Sequence, residues 1–210
     1  MIKILIADDH PIVRKGLKEI IEVTPDMMVG DEASNGQEAL EKVRKSDFDV
    51  VLLDISMPGR SGLDILKELK SEKPELSVLV LSIHPEEQYA VRVLKAGASG
   101  YLTKESAPDE LIAAIRKASI GRKYISSSLA EKLALYLEID DERPLHKTLS
   151  DREYEVMCMI ASGKTITEIA EKLFLSVKTI STYRSRILEK MRMKSNAELT
   201  HYALKNRLVE

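Results

Sequence analysis

The chain has 210 residues, 44% apolar and 31% charged, with a net charge of −2 at neutral pH. That composition supports one large or two small soluble domains, and no apolar run approaches the roughly 20 residues that cross a bilayer. Met1-Ile2-Lys3 leads into a strand-like run rather than a secretion signal. The single Cys158 excludes an internal disulfide framework and fits a reducing cytoplasm, and its neighbours Met157, Met159 and Ile160 give it a packing role.

The first 120 residues alternate strand-like and helix-like segments. Strands are expected at 2–7, 28–33, 49–53, 77–82 and 99–102. Amphipathic helices are expected at about 11–23, 36–46, 61–72, 85–96 and 108–119, with apolar residues three and four apart. In the last of these, Leu111, Ile112, Ile115 and Ala118 mark the buried stripe. Five βα units in succession predict an α/β fold whose parallel sheet has helices on both faces, which explains the unbroken apolar runs Val50–Leu53 and Val78–Leu81. A flavodoxin-like strand order, 2-1-3-4-5, gathers the carboxyl ends of the first, third, fourth and fifth strands around one crevice.

Those ends carry chemistry. Ile4-Leu5-Ile6-Ala7 stops at Asp8-Asp9, Val50-Val51-Leu52-Leu53 at Asp54, and Val78-Leu79-Val80-Leu81 at Ser82, while Gly100-Tyr101-Leu102-Thr103 runs into Lys104. Two carboxylates about 4 Å apart repel by roughly 4 kcal/mol at an effective dielectric near 20, so such a group either raises its pKa values or binds a cation. A few hard oxygens with room for water and phosphate favour Mg²⁺. One carboxylate can then attack phosphorus, with Lys104 neutralising the equatorial oxygens and Ser82 donating a hydrogen bond to one of them. Singly, Asp9 before His10-Pro11 reads equally as a helix cap, Asp54 as a turn residue and Lys104 as a solvated cation. Turn chemistry does not explain all five at successive strand ends.

The middle is different. Ser126-Ser127-Ser128 can cap a helix from Leu129 to about Leu137, and Glu138 to Thr148, with Asp140-Asp141-Glu142-Arg143-Pro144, reads as a polar linker. The expected organisation is therefore a first domain at 1–122, a linker with a short helix at 123–147, and a second domain at 148–210.

From Ser150 onward every signal is helical. Ser150 with Glu153, and Thr165 with Glu168, are capping boxes; Gly163 is a left-handed helix end, and Phe174-Leu175-Ser176 a tight turn. A longer helix runs from Val177 to about Met191, and Asn196 caps a last one with Leu199, Ala203 and Leu204. This is a helix-turn-helix pattern. Residues 1–125 carry 18 basic and 21 acidic side chains, residues 148–210 carry 11 and 8, and Ser176 to Lys194 holds six cations against Glu189 alone, which points to a polyanionic partner. In the longer helix Val177, Ile180, Ile187, Leu188 and Met191 are expected in the core, with Tyr183 or Arg184 at its border. Lys178, Ser181, Thr182, Ser185 and Glu189 lie opposite, a face of small polar groups that can enter a major groove. An ordinary amphipathic helix has the same periodicity.

Asp8-Asp9-His10-Pro11, Leu53-Asp54-Ile55-Ser56-Met57-Pro58-Gly59-Arg60-Ser61-Gly62 and Gly97-Ala98-Ser99-Gly100-Tyr101-Leu102-Thr103-Lys104 closely resemble the receiver domain of two-component response regulators. The resemblance implies that Asp54 is the phosphoacceptor. It implies that Asp9 and Asp54 ligate Mg²⁺ directly, Asp8 through water and Ser56 through its carbonyl. Ser82 and Tyr101 become a switch pair, in which Ser82 swings toward the phosphoryl group and Tyr101 turns inward, and Lys104 contacts the phosphoryl oxygens. Glu105 stands where many receivers have Pro. His84 is either a modulator of dephosphorylation or an ordinary loop residue.

Leu149-Ser150-Asp151-Arg152-Glu153, Gly163-Lys164-Thr165-Ile166-Thr167-Glu168-Ile169-Ala170 and Leu175-Ser176-Val177-Lys178-Thr179-Ile180-Ser181-Thr182-Tyr183-Arg184 resemble the LuxR-type helix-turn-helix, and the two domains together resemble the NarL/FixJ class. That implies phosphate contacts from Lys178 and Thr179, with Arg184 or Arg186 as further candidates, and base contacts from Ser181, Thr182 and Ser185. Family members often have His in place of Tyr183. The implied partners are a sensor histidine kinase, double-stranded promoter DNA and a second copy of the chain through the last helix, with no membrane partner. Two rival readings are a receiver that controls DNA binding without phosphorylation and an Mg²⁺-dependent aspartyl-phosphate hydrolase. The hydrolase needs an acid two residues past the nucleophile, where Ser56 stands, and a substrate-enclosing cap domain, which this chain lacks.

Overall fold

The computed structural model describes residues 1–83, 86–106, 108–131, 144–206 and 208–209. His84, most of the helix expected from Leu129 to Leu137 and the linker residues up to 143 lie outside the described residues. The chain divides into two compact units, Met1–Ala130 and Glu131–Glu210.

In the first unit, strands β1 (Ile2–Ala7), β2 (Met27–Ala33), β3 (Val50–Asp54), β4 (Ser77–Ser82) and β5 (Gly100–Thr103) alternate with helices α1 (Pro11–Glu22), α2 (Gly36–Lys45), α3 (Gly62–Glu72), α4 (Glu86–Lys95) and α5 (Pro108–Ser119). The strands form one parallel sheet in the order β2-β1-β3-β4-β5, as expected. Every residue of β3 and β4 is buried, because alternate side chains meet helices on opposite faces. On one face Ile4, Ile6, Val50, Leu52, Leu79, Leu81 and Leu102 pack against Ile21 of α1 and Leu111, Ala114, Ile115 and Ala118 of α5. The elements α2, α3 and α4 pack on the sheet as well.

Strand limits differ from the sequence reading by a residue. Asp54 lies inside β3, paired with Leu81, so the ladder holds its backbone in place. Ser99 precedes β5 but still donates its amide to Val78 O at 2.7 Å. Beyond α5 the chain returns to the sheet: Tyr124 pairs with Gly100, its hydroxyl donates to Glu110 at 2.9 Å, and the Ser126 hydroxyl donates to Glu86 at 2.9 Å.

In the second unit, a 3₁₀ turn at Leu145–Thr148 precedes helices α6 (Asp151–Ala161), α7 (Ile166–Leu173), α8 (Val177–Lys190) and α9 (Asn196–Lys205). Both expected capping boxes form. Gly163 is left-handed at φ +83°, as is Phe174 in the α7–α8 turn at φ 54°. Cys158 is buried. Two expectations fail. The cap of α9 is Ser195, whose hydroxyl accepts the Glu198 amide; Asn196 is already the first helical residue. Val177 is 49% exposed rather than core, because it opens α8 one turn short of the buried Ile180.

Gly62 matters most for the site. A Cβ there would stand 2.3 Å from Ile55 Cα and 2.8 Å from Ile55 O, so only glycine lets α3 start against the backbone that follows Asp54. Gly62→Ala is expected to cost about 1–3 kcal/mol through forced backbone displacement. Urea unfolding of the first unit checks this; an unchanged midpoint would contradict it.

Candidate functional site

The β1–β3 register pairs Ala7 with Leu53, so Asp8 and Asp54 leave the sheet side by side. Each is 1% exposed. Lys104, carried past the end of β5 and tied to β4 by its amide on Ser82 O (2.8 Å), reaches between them. Its Nζ lies 2.6 Å from Asp54 Oδ2 and 2.7 Å from Asp8 Oδ2, and only the first contact has hydrogen-bond geometry. The Ser56 amide donates to Asp54 Oδ1 at 2.8 Å, and the His10 amide to Asp8 Oδ1 at 2.8 Å. Arg14 from α1 holds the Asp8 carbonyl at 2.7 Å.

Burial pushes the Asp54 carboxyl above its ordinary value, against the opposing pull of Lys104 and the Ser56 amide. Burial would also discharge Lys104, but Asp54 and Asp8 outweigh it and raise the ammonium above the usual lysine range. The site therefore contains a permanent cation, yet one ammonium faces three carboxyl groups. Two buried oxygens, Asp8 Oδ2 and Asp9 Oδ1, accept no hydrogen bond. Asp8, Asp9, His10 and Asp54 each offer a ligand atom, all within 4.8 Å of one another. Asp8 Oδ2 has only its ion-pair contact with Lys104, and Asp9 Oδ1 only its contact with His10; hard oxygens this short of positive charge fit Mg²⁺.

Ser82 and Tyr101 have no exposed surface; Ser82 pairs with Thr103 and Tyr101 with Val80, which sets them on adjoining strands. The structure thus brings Asp8, Asp9, Asp54, Ser56, Ser82 and Lys104 to one sheet edge, with Tyr101 beneath it. It adds His10, which the sequence reading passed over. Its Nδ1 lies 2.9 Å from Asp9 Oδ1 and 3.2 Å from Asp8 Oδ1. The available signal was its position after two acids and before a proline that starts a helix.

In the second unit the outward face of α8 is as expected: Lys178, Ser181, Thr182, Ser185, Arg186 and Glu189 are exposed, while Ile180, Ile187 and Met191 are buried. The hydroxyls of Ser181, Thr182 and Ser185 donate to the carbonyls of Val177, Lys178 and Ser181, one turn back. With the proton committed there, each oxygen presents acceptor lone pairs outward. Ser176 caps the helix, and its hydroxyl lies 2.8 Å from that of Thr179. Lys178 and Thr179 thus sit in the first turn, where amides and dipole favour an anion. Arg184 does not project freely; its Nε donates to Asn196 Oδ1 at 2.7 Å.

Two adjacent residues of α6 brace this helix pair. Arg152 donates to Glu155 at 2.6 Å and to the Leu173 carbonyl, at the end of α7, at 3.4 Å. Glu153, 3% exposed, accepts the Ser150 amide at 2.8 Å and the Lys190 ammonium, at the end of α8, at 2.6 Å.

The family comparisons agree with this geometry. Residues 4–116 match the family model of the response regulator receiver domain, and residues 147–203 that of bacterial regulatory proteins of the luxR family. The response regulator UvrY of Escherichia coli K12 is 38% identical over 209 residues, covering 99% of this chain and 96% of UvrY. GacA of Pseudomonas aeruginosa is 36% identical, covering 100% and 99%. Among solved structures, RcsB from Salmonella enterica serovar Typhimurium, bound to promoter rprA in the presence of phosphomimetic BeF3⁻, is 30% identical with a TM-score of 0.67, covering 96% of this chain and 98% of that one. Fold and site thus define a receiver domain joined to a LuxR-type DNA-binding domain. The chain belongs to the NarL/FixJ class of two-component response regulators, which are DNA-binding transcriptional regulators.

The brace yields a test. Burial alone would raise the Glu153 carboxyl, but Lys190 and the Ser150 amide and hydroxyl more than offset this and hold it below the ordinary range. A depressed carboxylate stabilises the fold fully above its unfolded pKa, about 4.3, and that stabilisation is lost as pH falls through the folded value. Lys190→Met should cost the second unit about 1–3 kcal/mol at neutral pH and shrink its acid sensitivity. Urea unfolding followed at amide resonances of residues 151–190 measures both; equal stability of the two proteins at pH 7 would contradict the brace.

Proposed function

We propose that Asp54 accepts a phosphoryl group from the phosphohistidine of a sensor kinase, and that this controls binding of the second domain to promoter DNA. The observation that carries the reading is the Lys104 ammonium, 2.6 Å from Asp54 Oδ2 and 2.7 Å from Asp8 Oδ2, in a cluster that also holds Asp9. An Asp54 oxygen attacks phosphorus, its new O–P bond replacing the N–P bond to the kinase histidine. Lys104, already charged, turns from its carboxylate partners to the phosphoryl oxygens, and the Ser82 hydroxyl donates to one of them. Asp8, Asp9 and Asp54, with the Ser56 carbonyl, would hold Mg²⁺, which neutralises charge on the transferring group.

Tyr101 is fully buried here, the position that the resemblance assigns to the phosphorylated form. The proposed switch therefore runs between an outward Tyr101 and this one, coupled to Ser82 on the adjoining strand. Functional limits of 1–122 for the receiver, 123–147 for the linker and 148–210 for the DNA-binding domain follow from the sequence reading. Lys178 and Thr179, with Arg186, supply phosphate contacts, and Arg184 joins them on leaving Asn196. Ser181, Thr182 and Ser185 offer acceptors to base-edge amino groups. RcsB is bound to promoter DNA in the presence of a phosphomimetic, which supports the pairing of phosphorylation with DNA binding. A homodimer through α9 would read a two-fold DNA site in the cytoplasm. The receiver would catalyse only its own phosphorylation and dephosphorylation.

Incubation with Mg²⁺ and a small phosphodonor, followed by intact mass measurement, tests the acceptor. A Mg²⁺-dependent gain of one phosphoryl group, absent in Asp54→Ala, is expected. No gain with several donors would favour control of DNA binding without phosphorylation.

A further inference from the structure

The turn between α7 and α8 holds a residue that its own backbone conformation disfavours. Helix α7 ends at Phe174, whose amide reaches back to the carbonyls of Ala170 and Glu171, while the Leu175 amide donates to Ala170 O at 2.9 Å. This helix end requires a left-handed residue, and Phe174 adopts φ 54° and ψ 42°. Glycine or asparagine is the ordinary occupant, because a Cβ crowds the following carbonyl in that region. Gly163 fills the same role after α6, at φ +83°. Phe174 is also 71% exposed, more than any other large apolar side chain of the second unit among the described residues. Neither the strain nor the exposure helps the domain to fold. Arg192, after α8, is left-handed too at φ 55°, but a guanidinium gains from water where a benzene ring loses.

We propose that Phe174 is a DNA contact, its ring packing against the deoxyribose of the strand whose phosphates Lys178 and Thr179 hold. This rests on the reading of α8 as the DNA-binding helix and adds an apolar contact to its polar and cationic ones.

Position selects the occupant. A recognition helix meets DNA through its N-terminal residues, and in α8 these follow the Ser176 cap. Phe174 stands two residues before that cap, so its Cα lies within about 7 Å of the Ser176 Cα. Val177, on the other side of the cap, is 49% exposed. Exposed apolar side chains thus flank the cap beside the expected phosphate contacts. Residues 172–188 contain Lys172, Lys178, Arg184 and Arg186 and no acid. An exposed ring in an acid-free, cationic stretch suits a polyanion whose sugars offer apolar C–H surface next to each phosphate. A sugar contact is indifferent to base sequence and to salt, which separates it from base reading and from phosphate binding.

The test uses the full-length protein and its Phe174→Asn, Phe174→Tyr and Lys178→Ala variants. Fluorescence anisotropy at several salt concentrations measures binding to two labelled duplexes, one enriched by the wild type from a random-sequence pool and one scrambled from it. Urea unfolding measures the stability of the second unit. Phe174→Asn should bind both duplexes about fivefold more weakly with an unchanged salt slope. It should also unfold at higher urea than the wild type, because asparagine tolerates the left-handed conformation. Opposite signs for stability and affinity are what a merely structural residue does not produce. Phe174→Tyr keeps the ring and should bind as the wild type does, whereas Lys178→Ala should make the salt slope shallower by about one. Equal affinity of Phe174→Asn and wild type overturns the contact. So does a loss confined to the enriched duplex, a changed salt slope, or a lower unfolding midpoint, which would mean that the ring serves the fold. If Lys178→Ala weakens binding and Phe174→Asn does not, only the sugar contact fails. If neither does, the assignment of the start of α8 to DNA falls, and the contact with it.

Discussion

The receiver unit turns on one electrostatic imbalance. Asp8 and Asp54 are carried into a nearly water-free sheet edge by the aliphatic runs Ile4–Ala7 and Val50–Leu53. Burying two carboxylates together is costly unless a cation accompanies them, and Lys104 supplies only one charge. The ammonium stays protonated because it serves both acids, and burial still holds the Asp54 carboxyl above its ordinary value. A site in which three carboxyl groups share one ammonium is poised to take a divalent ion. Its lysine is then available for a second anionic group. The proposed phosphoryl chemistry uses this deficit rather than any residue brought in from elsewhere.

The fold maintains the imbalance by fixing backbone as well as the two carboxylates, which the Ser56 and His10 amides hold. Asp54 is held in the ladder by Leu81, the Asp8 carbonyl by Arg14, and the Lys104 amide by Ser82. Gly62 permits the chain after Asp54 to pass over the start of α3. The DNA-binding unit uses a related device. Its α6 sends Arg152 to the end of α7 and Glu153 to the end of α8, so one helical turn sets the angle of the helix-turn-helix. A buried carboxylate with a single lysine partner appears in both units, in one as a poised site and in the other as a brace whose remaining donors are supplied by a capping box.

Much of this was legible in the residues. Uninterrupted aliphatic runs ending in Asp and Ser, with Gly100–Thr103 running into Lys104, mark buried parallel strands and their chemical edge, and the two capping boxes mark helix starts at Ser150 and Thr165. Where two adjacent residues could each cap a helix, composition could not choose. Ser195 rather than Asn196 accepts the Glu198 amide because its hydroxyl is three residues away along the chain. Periodicity placed Val177 in the core because it has no term for where a helix begins relative to its neighbours. His10 and the Arg184–Asn196 contact were hidden for a further reason. Both depend on side-chain direction at a turn, which spacing along the sequence does not encode.

In the proposed function, charge arriving at Asp54 is felt by the DNA-binding unit. Fluorescence anisotropy on a labelled promoter duplex, at fixed salt, compares the full-length protein before and after treatment with phosphodonor and Mg²⁺, beside Asp54→Ala. Tighter binding by about tenfold, a coupling of about 1.4 kcal/mol, is expected in the treated wild type alone. Equal affinity of the phosphorylated and unphosphorylated protein would contradict it.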